Sequence, residues 1–175
     1  MDKKGFTLVE LLVVIAVLGI LTVMLLPNVI SLYTESQKNV FITEVQQIYK
    51  SAYQKFLLSD SNSEQYYLKN GQDVCKDQDE LDLKLDLQGR DDLDYYVVIN
   101  SSGYFIKLTV IDKSRKFAYD YDYRDASAIP KEDFGIEDIK KSDILIDGKS
   151  NEDDQGYEAA IDHLRMSCES GNFMH

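Results

Sequence analysis

The sequence predicts an α+β fold: a long N-terminal α-helix, its first half membrane-embedded, packed through its second half on a small antiparallel β-sheet head. Three observations predict it. From Leu11 to Leu26 no residue is charged and only Thr22 has a polar side chain. After Pro27, apolar residues recur at helical spacing up to Phe56. Between Tyr95 and Tyr123 lie three β-rich runs separated by turns.

The N-terminal run comes first. Phe6 to Leu26 is 21 residues compatible with a helix and ending at Pro27. At about 1.5 Å per residue it reaches roughly 30 Å, the thickness of a bilayer core. Lys3 and Lys4 precede it and no basic residue follows until Lys38. The positive-inside rule then places the N-terminus in the cytoplasm and the rest of the chain outside. A secretory signal peptide shares the basic start and the apolar run, but this run is longer than an ordinary one and no A-x-A-type site follows Pro27. A plain membrane anchor leaves Glu10 unexplained, because a carboxylate inside such a helix costs on the order of 2.5 to 3.5 kcal/mol and signals a partner. Ala16 and Gly19 form a small-residue site that either permits close helix approach or reflects ordinary membrane-helix composition. Pro27 removes one helical hydrogen bond and should kink or loosen the helix.

The segment "KKGFTLVELLVVIAVLGIL" resembles the class III signal and N-terminal helix of type IV pilins and the related pseudopilins. The resemblance implies that a prepilin peptidase cuts between Gly5 and Phe6 and methylates the amine of Phe6. It makes Glu10 the glutamate characteristic of the family, and Pro27 the proline that commonly follows the apolar half of the helix. Residues 1–5 become a leader that is removed, 6–26 a transmembrane and polymerisation helix, 27–58 its amphipathic continuation, and 59–175 the globular head. The chemistry suits this reading. The amine of Phe6 on one helix can reach the Glu10 carboxylate of the next, and a wrong register would leave a buried charge unpaired. Phe6, Glu10 and Pro27 are therefore the expected assembly residues.

In the second half of the helix, Phe41, Val45, Ile48, Ala52 and Phe56 line one face, widened by Tyr49 and Tyr53. Gln37, Lys38, Glu44, Gln46, Lys50 and Gln54 lie mostly elsewhere, so the spacing predicts a helix to about Leu58 with one face on a core. "SDSNSE" at 59–64 breaks it. Residues 60–94 read as acidic and loop-like, with "LDLKLDL" at 81–87 as a short strand of alternating burial. A meander at about 95–123 follows: Tyr95–Ile99, Tyr104–Ile111 and Phe117–Tyr123, joined at Asn100–Gly103 and Asp112–Lys116. In the third run Phe117, Tyr119, Tyr121 and Tyr123 share one face, and Ala118, Asp120 and Asp122 the other. Beyond it, "EDFGIEDIKK" reads as a helical turn and "DILI" as an edge strand. "NEDDQGYEAAIDHLRMS" reads as a helix buried through Tyr157, Ala160, Ile161 and Leu164.

Composition narrows the function. Net charge is -12, concentrated after Asp60, so no direct nucleic-acid binding is expected. Twelve Tyr and seven Phe supply area for a core. The two cysteines, Cys75 and Cys168, are either one long-range disulfide of an exported domain or two thiols in a reduced setting. Two histidines, His163 and His175, and the absence of CxxC argue against zinc, acid–base catalysis and an enzyme, and no cofactor is expected. Asp147–Asp154, "DGKSNEDD", offers oxygen ligands for Ca²⁺ but lacks the EF-hand spacing, and a solvated acidic loop is the alternative.

The resemblance implies a structural subunit, a major or minor pilin, of a type IV pilus-like filament. Its partners would be other pilin subunits through the N-terminal helix, the prepilin peptidase, and the inner or cytoplasmic membrane before assembly. The alternative is a pseudopilin of a type II secretion or competence DNA-uptake system. From another class, a membrane-anchored extracellular binding module remains open.

Overall fold

The computed structural model describes residues 7–59, 63–69, 84–87, 92–123, 134–148 and 156–169, without the side chains of 25–28, 168 and 169. The chain divides into two compact units, Met1–Gln37 and Lys38–His175. One helix, α1 (Leu8–Leu58), contributes to both. Its backbone stays helical through Pro27.

In the first unit the helix has no interior. Side chains are exposed on every side, from 79% at Leu8 to 49% at Val14. Between Leu11 and Met24 the sequence explains it, since aliphatic residues surround the axis and leave no polar face to turn outward. Thr22, the polar side chain within Leu11–Leu26, donates its hydroxyl to Leu18 O at 2.8 Å and so satisfies itself within the helix.

The second unit contains a five-stranded antiparallel sheet in the order β1-β2-β3-β4-β5. The strands are β1 (Gln65–Lys69), β2 (Leu93–Ile99), β3 (Phe105–Asp112), β4 (Phe117–Asp122) and β5 (Leu145–Ile146). Strands β2 to β4 correspond to the three β-rich runs, and β5 to the edge strand read at "DILI". One strand is additional: β1, "QYYLK", lies in the stretch read as loop. Two adjacent tyrosines and a leucine supply its β propensity. Within "LDLKLDL", residues 84–87 form no strand. Their alternation reflects side-chain packing instead, with Leu85 buried and Leu87 against the core. The Leu85 amide donates to the Tyr95 hydroxyl at 2.6 Å, and Lys55 Nζ donates to Lys84 O at 2.9 Å.

Two hairpins set the register. In the β2–β3 turn, Asn100 Oδ1 accepts from the amides of Ser102 and Tyr104, and Gly103 takes a positive φ of 86°. A bulge follows: Ile99 pairs with Phe105 but Val98 pairs with Lys107. The extra residue, Ile106, reverses the alternation, so Phe105 and Leu108 both face the core shared with α1. In the β3–β4 turn, Asp112 Oδ1 accepts from the amides of Ser114 and Arg115.

Both faces of this sheet are covered. Phe41, Val45, Ile48 and Ala52 of α1 pack with Tyr95, Val97, Leu108, Val110 and Tyr119 on one side. On the other side lies α2 (Tyr157–Glu169), whose Tyr157, Ala160 and Leu164 pack with Leu68, Tyr96, Val98, Ile111 and Ala118. Hence all seven residues of β2 are buried, as "LDYYVVI" with its unbroken apolar stretch requires. At the α1 face, Arg115 ties helix to turn. Its Nη2 donates to Glu44 Oε1 at 2.9 Å and its Nε lies 3.0 Å from Asp112 Oδ2, with Asp112 fully buried. Tyr53 and Phe56, expected on the buried stripe, are less covered, Tyr53 being 39% exposed. They lie at the helix end, where the β2–β3 turn passes: a Cβ at Gly103 would come 3.3 Å from Phe56 and 3.9 Å from Tyr53.

Candidate functional site

The start of α1 carries a reciprocal cap. Thr7 stands just before the first helical residue and Glu10 three positions on, the T-x-x-E pattern of a capping box. The Thr7 amide donates to Glu10 Oε2 at 2.8 Å and the Thr7 hydroxyl donates to the same oxygen at 2.9 Å. The Glu10 amide in turn donates to Thr7 Oγ1 at 3.3 Å. An apolar helix thus begins with two of its orphan amides satisfied and with its carboxylate already holding two donors. Among the described residues no donor reaches Glu10 Oε1.

The capping role of Thr7 and its partnership with Glu10 are what the geometry adds. Gly5 and Phe6 lie outside the described residues. The cap uses neither, so it does not depend on them. Further along, Ala16 and Gly19 sit in a shallow apolar groove with Ile15, Ile20, Val23 and Met24. Nothing lies within 4 Å of a Cβ built on Gly19. Pro27 keeps a helical backbone, and its side chain is outside the description. No single helix among the described residues is long and apolar enough to cross a membrane. Leu8–Met24 and Val29–Leu58, as a bent pair, pass together by length and composition.

The remaining sequence candidates lie largely outside the described residues. Cys75 lies outside the described residues, and Cys168 is placed by its backbone alone, in α2. Of Asp147–Asp154 the description covers Asp147 and Gly148, and Asp147 is ion-paired with Lys116. Among the described residues no three His, Cys, Asp or Glu side chains form a metal-binding group.

Residues 1–26 match the prokaryotic N-terminal methylation motif. The chain carries a class III prepilin signal. This is the signal of type IV pilins and pseudopilins, and the long helix followed by a five-stranded antiparallel sheet is a pilin-like arrangement. No curated protein and no solved structure matches the chain. A prepilin signal implies membrane anchoring before an extracellular filament. It indicates a structural subunit rather than an enzyme, and it is consistent with processing by prepilin peptidase and assembly with other pilins.

Proposed function

We propose that the chain is a structural subunit of a type IV pilus-like extracellular filament, cut by prepilin peptidase between Gly5 and Phe6 and assembled through its N-terminal helix. The match of residues 1–26 to the methylation motif carries this reading. Residues 1–5 are the leader, 6–26 the membrane and polymerisation segment, 27–58 the amphipathic continuation and 59–175 the head. Before assembly Lys3 and Lys4 hold the N-terminus in the cytoplasm, with the head on the opposite side. A disulfide between Cys75 and Cys168 ties down the C-terminal region of the exported head.

The geometry of Glu10 supports a specific role. One carboxylate oxygen is occupied by Thr7, and the other is left for the Phe6 amine of an adjacent subunit. A charge-assisted bond there selects one axial register, because the alternative is an unpaired charge in an apolar environment.

Intact mass of the protein from its native host tests the reading. Loss of Met1 to Gly5 with one added methyl on Phe6 is expected. Cleavage after the apolar run, or none, would overturn it. Glu10→Ala should leave processing intact and abolish most incorporation into filaments, scored by immunoblot of sheared filaments. Wild-type incorporation would remove the register argument. Labelling with an antibody to the head separates a major pilin, dense along the filament, from a minor one. A machine that forms no extended filament would place the chain with the pseudopilins.

A further inference from the structure

The sheet face beneath α2 is largely apolar, but it carries Asp94 of β2, paired with Lys113 at 2.9 Å, and a polar cluster centred on Asp120. Asp120 on β4 uses both carboxylate oxygens: Oδ1 accepts the Thr109 hydroxyl of β3 at 2.5 Å, and Oδ2 lies 2.6 Å from Nδ1 of His163 on α2. Beside them Lys107 of β3 and Asp122 of β4 form a cross-strand pair at 3.1 Å. The Asp120 side chain is 12% exposed and that of His163 35%, so the contact is largely sheltered but within reach of solvent protons.

We propose that His163 and Asp120 form a proton-operated latch, which seats α2 on the sheet most tightly when His163 is protonated and loosens as the imidazole loses its proton. The geometry is directional. Thr109 fixes the Asp120 carboxylate through Oδ1, and among the described residues the second partner, at Oδ2, comes from α2. Among the described residues, the charges acting on the imidazole come from both neighbouring strands. From β4, Asp120 and Asp122 attract an imidazolium, and from β3, Lys107 opposes it while itself paired to Asp122. On α2, neighbouring Asp162 is engaged by Arg165 at 2.9 Å.

The hydrogen bond to Asp120 raises the His163 pKa above the ordinary 6.5, burial pulling the other way and the Asp120 charge adding to the rise. A raised basic pKa fixes the sign. The latch contributes in full below about pH 6.5, the unseated value, and is lost as pH rises through the higher, seated value.

Helix α2 is the element built to respond. It has 13 residues, short for a helix to persist alone, and its apolar seat is small, centred on Tyr157, Ala160 and Leu164. Strands β2 to β4 are held by ladders on both sides and stay in place. Loosening α2 uncovers Tyr96, Val98 and Ile111, an apolar β surface otherwise hidden. The inference concerns the head alone, so it stands or falls separately from the filament reading.

Hydrogen exchange on the full-length chain in detergent micelles tests it, at pH 6 and 8.5 with intrinsic exchange rates corrected. Protection of 157–169, taken relative to 93–112, should fall about two- to fivefold at the higher pH, the range of a partly exposed ion pair. His163→Gln keeps a side-chain donor without a titrating charge and should show the same relative protection at both values. In Asp120→Asn the His163 titration, followed by imidazole NMR, should move down towards 6.5. Relative protection that is unchanged with pH in the wild type, or a His163→Gln chain with the wild-type pH response, would overturn the latch. Should that variant fail to fold, a His163 that titrates at or below 6.5 in the unaltered chain overturns it as well.

Discussion

Leu8–Met24 and Phe41–Ala52 belong to the same helix and are both rich in apolar residues, yet they meet opposite fates. In the first stretch no side chain is covered, with Val14 at 49% and Leu8 at 79% exposure. In the second, Phe41, Val45 and Ala52 are at 0% and Ile48 at 1%. The contrast teaches that apolar content does not decide burial within a chain; the distribution around the axis does. Phe41–Ala52 is a stripe, with Asn39, Thr43, Gln47 and Lys50 exposed on the opposite side, and the chain supplies one sheet to cover it. From Leu11 to Met24 the helix is apolar all round apart from Thr22, and such a surface needs a solvent of lipid tails or several other helices.

The largest effect expected from this contrast follows from truncating one residue in each stretch. Phe41→Ala should destabilise the head by about 3 to 5 kcal/mol. Leu18→Ala should leave the same unfolding transition within about 0.5 kcal/mol. Urea unfolding in micelles, monitored by tyrosine fluorescence, reads both, and equal losses would erase the distinction. Next in size is Arg115→Ala. It leaves Glu44 and the buried Asp112 without the guanidinium that joins them, at a cost of about 3 kcal/mol. An unchanged midpoint would mean that apolar packing alone seats the helix on the sheet. Smallest is Gly103→Ala, expected to cost about 1 to 2 kcal/mol from strain at φ 86° and from crowding of Phe56. A neutral result would show that the helix end near Phe56 adjusts freely.

What the sequence disclosed follows the same division. The helix end at Leu58 and the faces of β4 rest on local periodicity, and local periodicity is written in consecutive residues. The placement of α2 across the second sheet face was not legible, because it depends on partners tens of positions away. Its trace was the lack of alternation in "YYVVI", which signals burial on both sides without naming the cover. "LDLKLDL" misled for a related reason: alternation reports which side chains are buried, not whether the backbone joins a ladder. Likewise the alternation put Asp120 on the face of β4 away from the aromatics, and only the fold sets it opposite His163. At the candidate assembly site, residue types identified Glu10, whereas the double hold by Thr7 required geometry.

The strand order has a kinetic consequence. Each strand lies beside its neighbour in the chain, and β2, β3 and β4 are joined by loops of only a few residues. Closing such loops costs little entropy, and topologies rich in local pairing fold quickly. Docking of α1 is different, since the Glu44–Arg115 contact spans 71 positions. The topology therefore favours closure of the hairpins before the helix docks. Arg115 lies in the β3–β4 turn, so the clasp on Glu44 becomes available together with the hairpin that closes around it.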